Sequence, residues 1–209
     1  MFEARGERQT EFVKLIKEKD IVFGFGPAGT GKSFLAANMA SEWLKKHRGS
    51  QIIFSKPLIQ VDGDLGFLPG DLDEKTAPYK QVLDEFFQEA LCEQYQKLIS
   101  DDRVRFECLE FMRGKTFSNS FIILDEAQNS TVNQMKMFLT RLGKDSKMVI
   151  LGDLRQCDLD NNFINGLSDV IERFDGPNWK DEIGIVKFKI EDCQRHGLVG
   201  KIVRKYEGN

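Results

Sequence analysis

One octapeptide holds the densest chemistry in this chain. Gly26-Pro27-Ala28-Gly29-Thr30-Gly31-Lys32-Ser33 fits G-x-x-x-x-G-K-[ST] in full. Glycines at such positions let the backbone approach an anion closely and turn through positive φ. The run follows a short β-rich stretch and opens a helix at Ser33-Phe34-Leu35-Ala36-Ala37. A nest of backbone N–H groups and a helix N-terminus therefore converge on one point, which suits phosphate oxygens. Lys32 is expected on the β- and γ-phosphates, and the Ser33 hydroxyl on Mg²⁺. The residues imply a nucleotide site.

A second acidic motif fits the same chemistry. Phe121-Ile122-Ile123-Leu124 delivers Asp125-Glu126 to the end of an apolar strand, where open α/β sheets bind ligands. Asp125 is expected to hold the metal and Glu126 to deprotonate an attacking water. Leu151-Gly152-Asp153-Leu154-Arg155-Gln156 places further polar groups after another apolar run. Asp153 and Gln156 are candidates to sense the γ-phosphate from there.

Elements of a recognisable kind must position these motifs. Apolar runs at residues 20–25, 51–54, 120–124 and 147–151 read as strands, and their continuity suits a parallel sheet covered on both faces. Residues 185–190 alternate Val186, Phe188 and Ile190 with Lys187 and Lys189, which predicts an edge strand. Between them, Tyr79, Val82, Leu83, Phe86, Phe87, Ala90 and Leu91 mark one apolar helix face. Thr131-x-x-Gln134 is a capping box before Met135, Phe138 and Leu139, with Gly143 as the expected stop. Leu198, Val199, Ile202, Val203 and Tyr206 predict a closing helix, and residues 62–73 a long surface loop. Strands alternating with helices give an α/β, doubly wound sheet.

Composition narrows the classes without choosing among them. The 209 residues suit one domain, 1–209. Thirty basic against 33 acidic residues give a net charge of −3, so nucleic acid can be held only by a local patch. No apolar stretch reaches the length of a membrane span, and residues 1–19 lack a signal peptide's apolar core. Four cysteines without CxxC spacing and two histidines argue against a zinc site and for a reduced, cytoplasmic setting.

Taken together, the motifs resemble the PhoH family of ATPases, related to the cores of superfamily 1 helicases. The likeness runs from about Gln9 to Tyr206. It rests on residues 20–33, Leu65-Gly66-Phe67-Leu68-Pro69-Gly70-Asp71-Leu72, Met112-Arg113-Gly114-Lys115-Thr116, residues 121–129, residues 134–141, and Gly152-Asp153 through Leu159. The resemblance implies a RecA-like P-loop NTPase fold, binding and hydrolysis of ATP with Mg²⁺, and Gln128 and Gln156 near the γ-phosphate. It makes Gln9, just before the first helix, the reader of the adenine edge, and Arg195, of Arg195-His196, an arginine finger, with Arg141 the rival. Lys56-Pro57 departs from the family's Arg-Pro, and Val61-Asp62-Gly63-Asp64 from its Gly-Glu, which bears on nucleic-acid binding.

A helicase-like site without a second lobe implies a ring-like homo-oligomer, a hexamer, with an arginine supplied in trans. Single-stranded nucleic acid, RNA more than DNA, is the expected partner, with no membrane association. The basic groups Lys45, Lys46, Arg48, Arg113, Lys115, Lys201, Arg204 and Lys205 could touch phosphates or form solvated faces. Two other classes stay open: a nucleotide-responsive binding subunit with little hydrolysis, and a small-molecule kinase.

Overall fold

The computed structural model describes residues 3–58, 72–159 and 164–194, with side chains for all of these except 72–80 and 82. Six parallel strands form one sheet: β1 Ile21–Phe25, β2 Gln51–Ser55, β3 Val104–Phe106, β4 Ser120–Leu124, β5 Lys147–Gly152 and β6 Ile183–Lys187. Their order is β3-β2-β4-β5-β1-β6. The helices are α1 Glu7–Glu18, α2 Lys32–Lys46, α3 Leu72–Leu91, α4 Tyr95–Ser100, α5 Val132–Leu139 and α6 Gly166–Phe174.

Alternation along each strand explains why the runs are apolar throughout. Val22, Ile52, Phe54, Phe121, Ile123 and Val149 point to one core, shared with Phe12, Leu35 and Phe87 of α1, α2 and α3. Phe23, Ile53, Ile122, Leu124 and Ile150 point to the other, closed by Met135, Phe138, Leu167 and Val170 of α5 and α6. Neither face tolerates a polar residue, so the period-2 signal vanishes. This is a RecA-like P-loop fold, a mainly parallel sheet with helices on both faces.

The order puts β5 between β1 and β4. The loops after these three strands therefore meet at one end of the sheet, and they are the three motif-bearing loops.

Several elements differ from their sequence reading. β3 has only three residues with Arg105 at its centre, so no apolar run announces it. Its guanidinium is held by Gln51 Oε1 at 2.7 Å. β6 is the edge strand but ends at Lys187, and its Gly184 lies where a Cβ would approach Leu15 to 3.0 Å. α5 stops at Leu139, before Gly143; a Cβ at Gly143 would stand 2.6 Å from the Phe117 carbonyl, so that glycine serves packing. The Thr131–Gln134 capping box is present as read. Of the loop expected at 62–73, residues 62–71 lie outside the described residues and Leu72 and Asp73 open α3; the helix expected at 198–206 also lies outside the described residues. Among the described residues no helix is long and apolar enough to cross a membrane.

Candidate active site

The loop between β1 and α2 is shaped from both sides. Gly26 has φ 137°, and a Cβ there would sit 2.3 Å from the Phe188 carbonyl. Gly31, the N-cap of α2, is left-handed at φ 84°. A side chain at either position would be strained and displaced.

Carbonyls of the loop are engaged by protein donors. Lys32 Nζ donates to Gly26 O at 2.7 Å and Pro27 O at 2.8 Å. The Gln194 N–H donates to Gly29 O at 2.9 Å, and Gln9 Nε2 to Thr30 O at 2.9 Å. Among the described residues, the N–H groups of 28–33 have no protein acceptor. A loop whose carbonyls are tied back and whose donors remain available is an anion cradle. Burial lowers the Lys32 ammonium from its ordinary range, opposed by the carboxylates of Asp153, Asp125 and Glu126.

Gln9 lies inside α1, not before it, and is buried. Its Oε1 accepts from the Arg5 N–H at 2.7 Å while Nε2 holds Thr30. The amide thus supports the phosphate loop. Phe34 is 44% exposed on the first turn of α2.

Asp125 continues β4 and is buried beside the loop. The Ser33 hydroxyl donates to its Oδ2 at 3.1 Å, and Lys56 Nζ stands 3.9 Å from the same oxygen. Burial pushes the Asp125 carboxyl up, with Lys56 pulling the other way. Glu126 is left-handed at φ 53°, a conformation a non-glycine residue adopts only where its surroundings impose it.

Gln128 supplies much of that constraint. It is 1% exposed, and its Nε2 donates to Glu126 Oε2 at 2.7 Å and to Gln156 O at 3.0 Å. Its Oε1 accepts the Asp153 N–H at 3.0 Å. Both amide donors are therefore engaged by protein, and the residue faces Glu126 and the β5 loop. A second link runs in parallel, with the Asp158 N–H donating to Asn129 Oδ1 at 2.8 Å.

The remaining site residues separate. Gln156 joins the network through its backbone, and the residue is exposed. Asp153 is buried and pairs with Arg155 at 3.3 Å. Arg141 caps α5, donating to Met137 O and Lys115 O at 3.1 and 2.8 Å. Arg195 lies outside the described residues.

Four contributing residues carried no site signal in the sequence. Lys56 stood out there only as a departure from Arg-Pro; the β2–β4 pairing brings it to Asp125. Gln194 touches the loop from far along the chain. Arg8 and Asp192, 3.3 Å apart, tie α1 to the segment bearing Gln194. No local signal marks either contact.

The donor set suits Mg²⁺. A hydroxyl and a carboxylate are hard oxygens, and Mg²⁺ takes few protein ligands alongside phosphate and water. Among the described residues no cluster of three or more His, Cys, Asp or Glu forms a self-sufficient metal cage.

Comparison with known proteins agrees with this geometry. The chain is 44% identical over 207 residues to Protein PhoH of Escherichia coli (strain K12), covering 97% of this chain and 57% of that protein. It is 42% identical over 200 residues to the PhoH-like protein of Bacillus subtilis (strain 168), covering 95% of this chain and 62% of that one. The chain thus spans about three fifths of the length of these relatives. Among solved structures, the large terminase of a thermophilic bacteriophage shares the fold, with a TM-score of 0.54 and 10% identity over 95% of this chain and 49% of that one. The profile of the family described as PhoH-like protein matches residues 1–207. With the phosphate loop, Asp125-Glu126 and the β5 loop meeting as that family's motif order implies, the chain belongs to the PhoH-like proteins.

Proposed function

We propose that this P-loop protein hydrolyses ATP with Mg²⁺, working as a cytoplasmic ATPase unit over residues 1–209. One observation carries the reading: the anion cradle of residues 26–33 lies beside a Ser33–Asp125 pair and a carboxylate held by Gln128.

In this mechanism the N–H groups of the loop bind the β-phosphate. Lys32 exchanges its hold on Gly26 O and Pro27 O for β- and γ-phosphate oxygens. Ser33 and Asp125 would hold Mg²⁺, which would supply charge neutralisation on the phosphates when bound. Glu126 accepts a proton from water as the water oxygen bonds to the γ-phosphorus. The bond from that phosphorus to the β–γ bridging oxygen breaks, and ADP leaves with the electron pair. Gln128 orients the Glu126 carboxylate, and in this role it replaces direct contact with phosphate. Gln9 braces the phosphate loop through Thr30 O, and the adenine edge is assigned to it and the γ-phosphate to Gln156 on the family's motif order.

The helicase kinship of the motif order supports coupling to single-stranded nucleic acid, RNA more than DNA. It also supports a homo-oligomer, a hexamer, in which Arg195 of one copy completes the site of the next. Arg141, committed to capping α5, does not fill that role.

Following γ-labelled ATP through one turnover tests the chemistry, since free phosphate, a labelled acceptor and no product separate an ATPase from a kinase and from a binding subunit. Free phosphate, released faster when oligouridylate is added, is the expected outcome. A labelled acceptor, or intact ATP, overturns the reading.

A further inference from the structure

At the opposite end of the sheet from the phosphate loop, a groove of about 830 Å³ opens between the end of α2 and the loops that enter β4 and β5. α2 has 15 residues, so the groove lies about 22 Å from the nucleotide cradle at ~1.5 Å per residue. No step of the hydrolysis uses it.

Two features set it apart from an ordinary solvated face. The first is an aromatic shelf. Trp43 is anchored edge-on against the core residue Phe121, with ring centroids 5.9 Å apart. The His47 ring stacks on Trp43 at 4.4 Å and 25°. It is locked there because Nδ1 bonds to the Trp43 carbonyl at 2.8 Å. His47 itself is exposed, so a rigid, flat ring faces solvent at the groove.

The second feature is charge. Lys46, Arg48, Lys144 and Lys147 line the groove, against Asp20 and Asp145. The excess is positive in a chain of net charge −3. Cations near the end of a helix are often there for its dipole, and Lys46 has Glu42 at 3.8 Å. That explanation does not reach Lys144, which comes from the loop before β5. Among the described residues neither Arg48 nor Lys144 has a carboxylate partner, and both are exposed. Between the two walls stands Asn119, left-handed at φ 50°, whose side chain can donate and accept hydrogen bonds at once.

A flat ring flanked by unpaired cations and an amide matches the chemistry of unstacked bases on a phosphate backbone. A duplex hides its base faces and would use only the cations. We propose that this groove is a binding site for single-stranded RNA, separate from the ATP site, with a base on His47 and phosphates on Arg48 and Lys144. The proposal rests on the nucleic-acid reading above and assigns it a surface. Because the groove and the cradle lie at opposite ends of the sheet, the two ligands bind without competing.

The test is fluorescence anisotropy with labelled oligouridylate over a series of salt concentrations. It compares the full chain with His47→Ala and with the double variant Arg48→Glu, Lys144→Glu. All three substitutions are at exposed positions outside the ATP site, so ATP affinity serves as the control for folding. The double variant should bind oligouridylate at least about tenfold more weakly, and its salt slope should fall by about 1.4 for two lost phosphate contacts. His47→Ala, which removes the ring, should weaken binding about fivefold or more at every salt concentration, as loss of a base stack does. Saturating ATP should leave wild-type binding in place. Oligouridylate that binds all three proteins equally, or that ATP displaces, overturns the groove while leaving nucleic-acid binding itself intact. A wild-type chain that fails to bind oligouridylate overturns the nucleic-acid reading and the groove with it.

Discussion

Replacing Gln128 by alanine tests whether the carboxylate at Glu126 is oriented by its neighbours. The change removes the donor to Glu126 Oε2 at 2.7 Å, the donor to Gln156 O and the acceptor for the Asp153 N–H. Gln156 is exposed, so water can replace the partner of its carbonyl. Asp153 is 5% exposed, and its N–H would be left buried and unpaired. That orphan and the vacated side-chain volume together cost about 2–4 kcal/mol of stability. In a chain of this size the melting temperature should fall by about 4–16 °C. The hydrogen bond to the carboxylate is charge-assisted and worth about 1.5–3 kcal/mol. If that orientation is used in the transition state, kcat falls about ten- to hundredfold. KM for ATP should change little, because Gln128 does not touch the phosphate loop. Steady-state phosphate release, measured well below the variant's melting temperature, reads both constants. An unchanged kcat beside a lowered melting temperature would make Gln128 purely structural. A raised KM with kcat intact would return it to direct contact with the nucleotide.

Three other sites give outcomes of their own. Lys32→Ala removes the ammonium inside the cradle and leaves the carbonyls of Gly26 and Pro27 without their donor; calorimetry with ATP should show binding lost or greatly weakened. Burial, aided by Glu110 and Glu107, pushes the Cys108 thiol up to about 11 from 9.0. Between those values the unfolded chain sheds this proton and the folded chain keeps it, so stability should fall as pH rises from 9.0 to about 11, as denaturant melts will read. By the same burial, iodoacetamide at about pH 8, just below an ordinary thiol's range, should label the exposed Cys92 and Cys157 and spare Cys108 until the chain unfolds. Thr131→Ala removes the hydroxyl that accepts the Gln134 N–H at α5, while the Thr131 N–H keeps its bond to Gln134 Oε1, and should cost about 1 kcal/mol, seen as a melting shift of about 2–4 °C.

What the sequence announced was local chemistry. The phosphate loop, β4 with Asp125-Glu126 and the Thr131 cap each depend on residues within one short segment, and each was legible. β3 was not, because three residues around an arginine carry no periodic signal and the strand exists through its pairing with β2. The site's internal wiring depends on strand order. Gln128 reaches Asp153 because β4 and β5 are neighbours, and Lys56 reaches Asp125 because β2 borders β4. The contact of Gln9 with Thr30 arises only because α1 packs over the loop, which no local pattern around Gln9 announces.

In the proposed mechanism, hydrolysis at residues 26–33 turns on Glu126 removing the proton from the attacking water. Glu126→Gln keeps the shape and the hydrogen-bonding side chain but cannot accept that proton. The decisive experiment pairs ATP binding with single-turnover phosphate release for this variant and the wild type. Matched ATP affinity is expected, with phosphate released by the wild type and almost none by the variant. Normal phosphate release from Glu126→Gln would contradict the assignment.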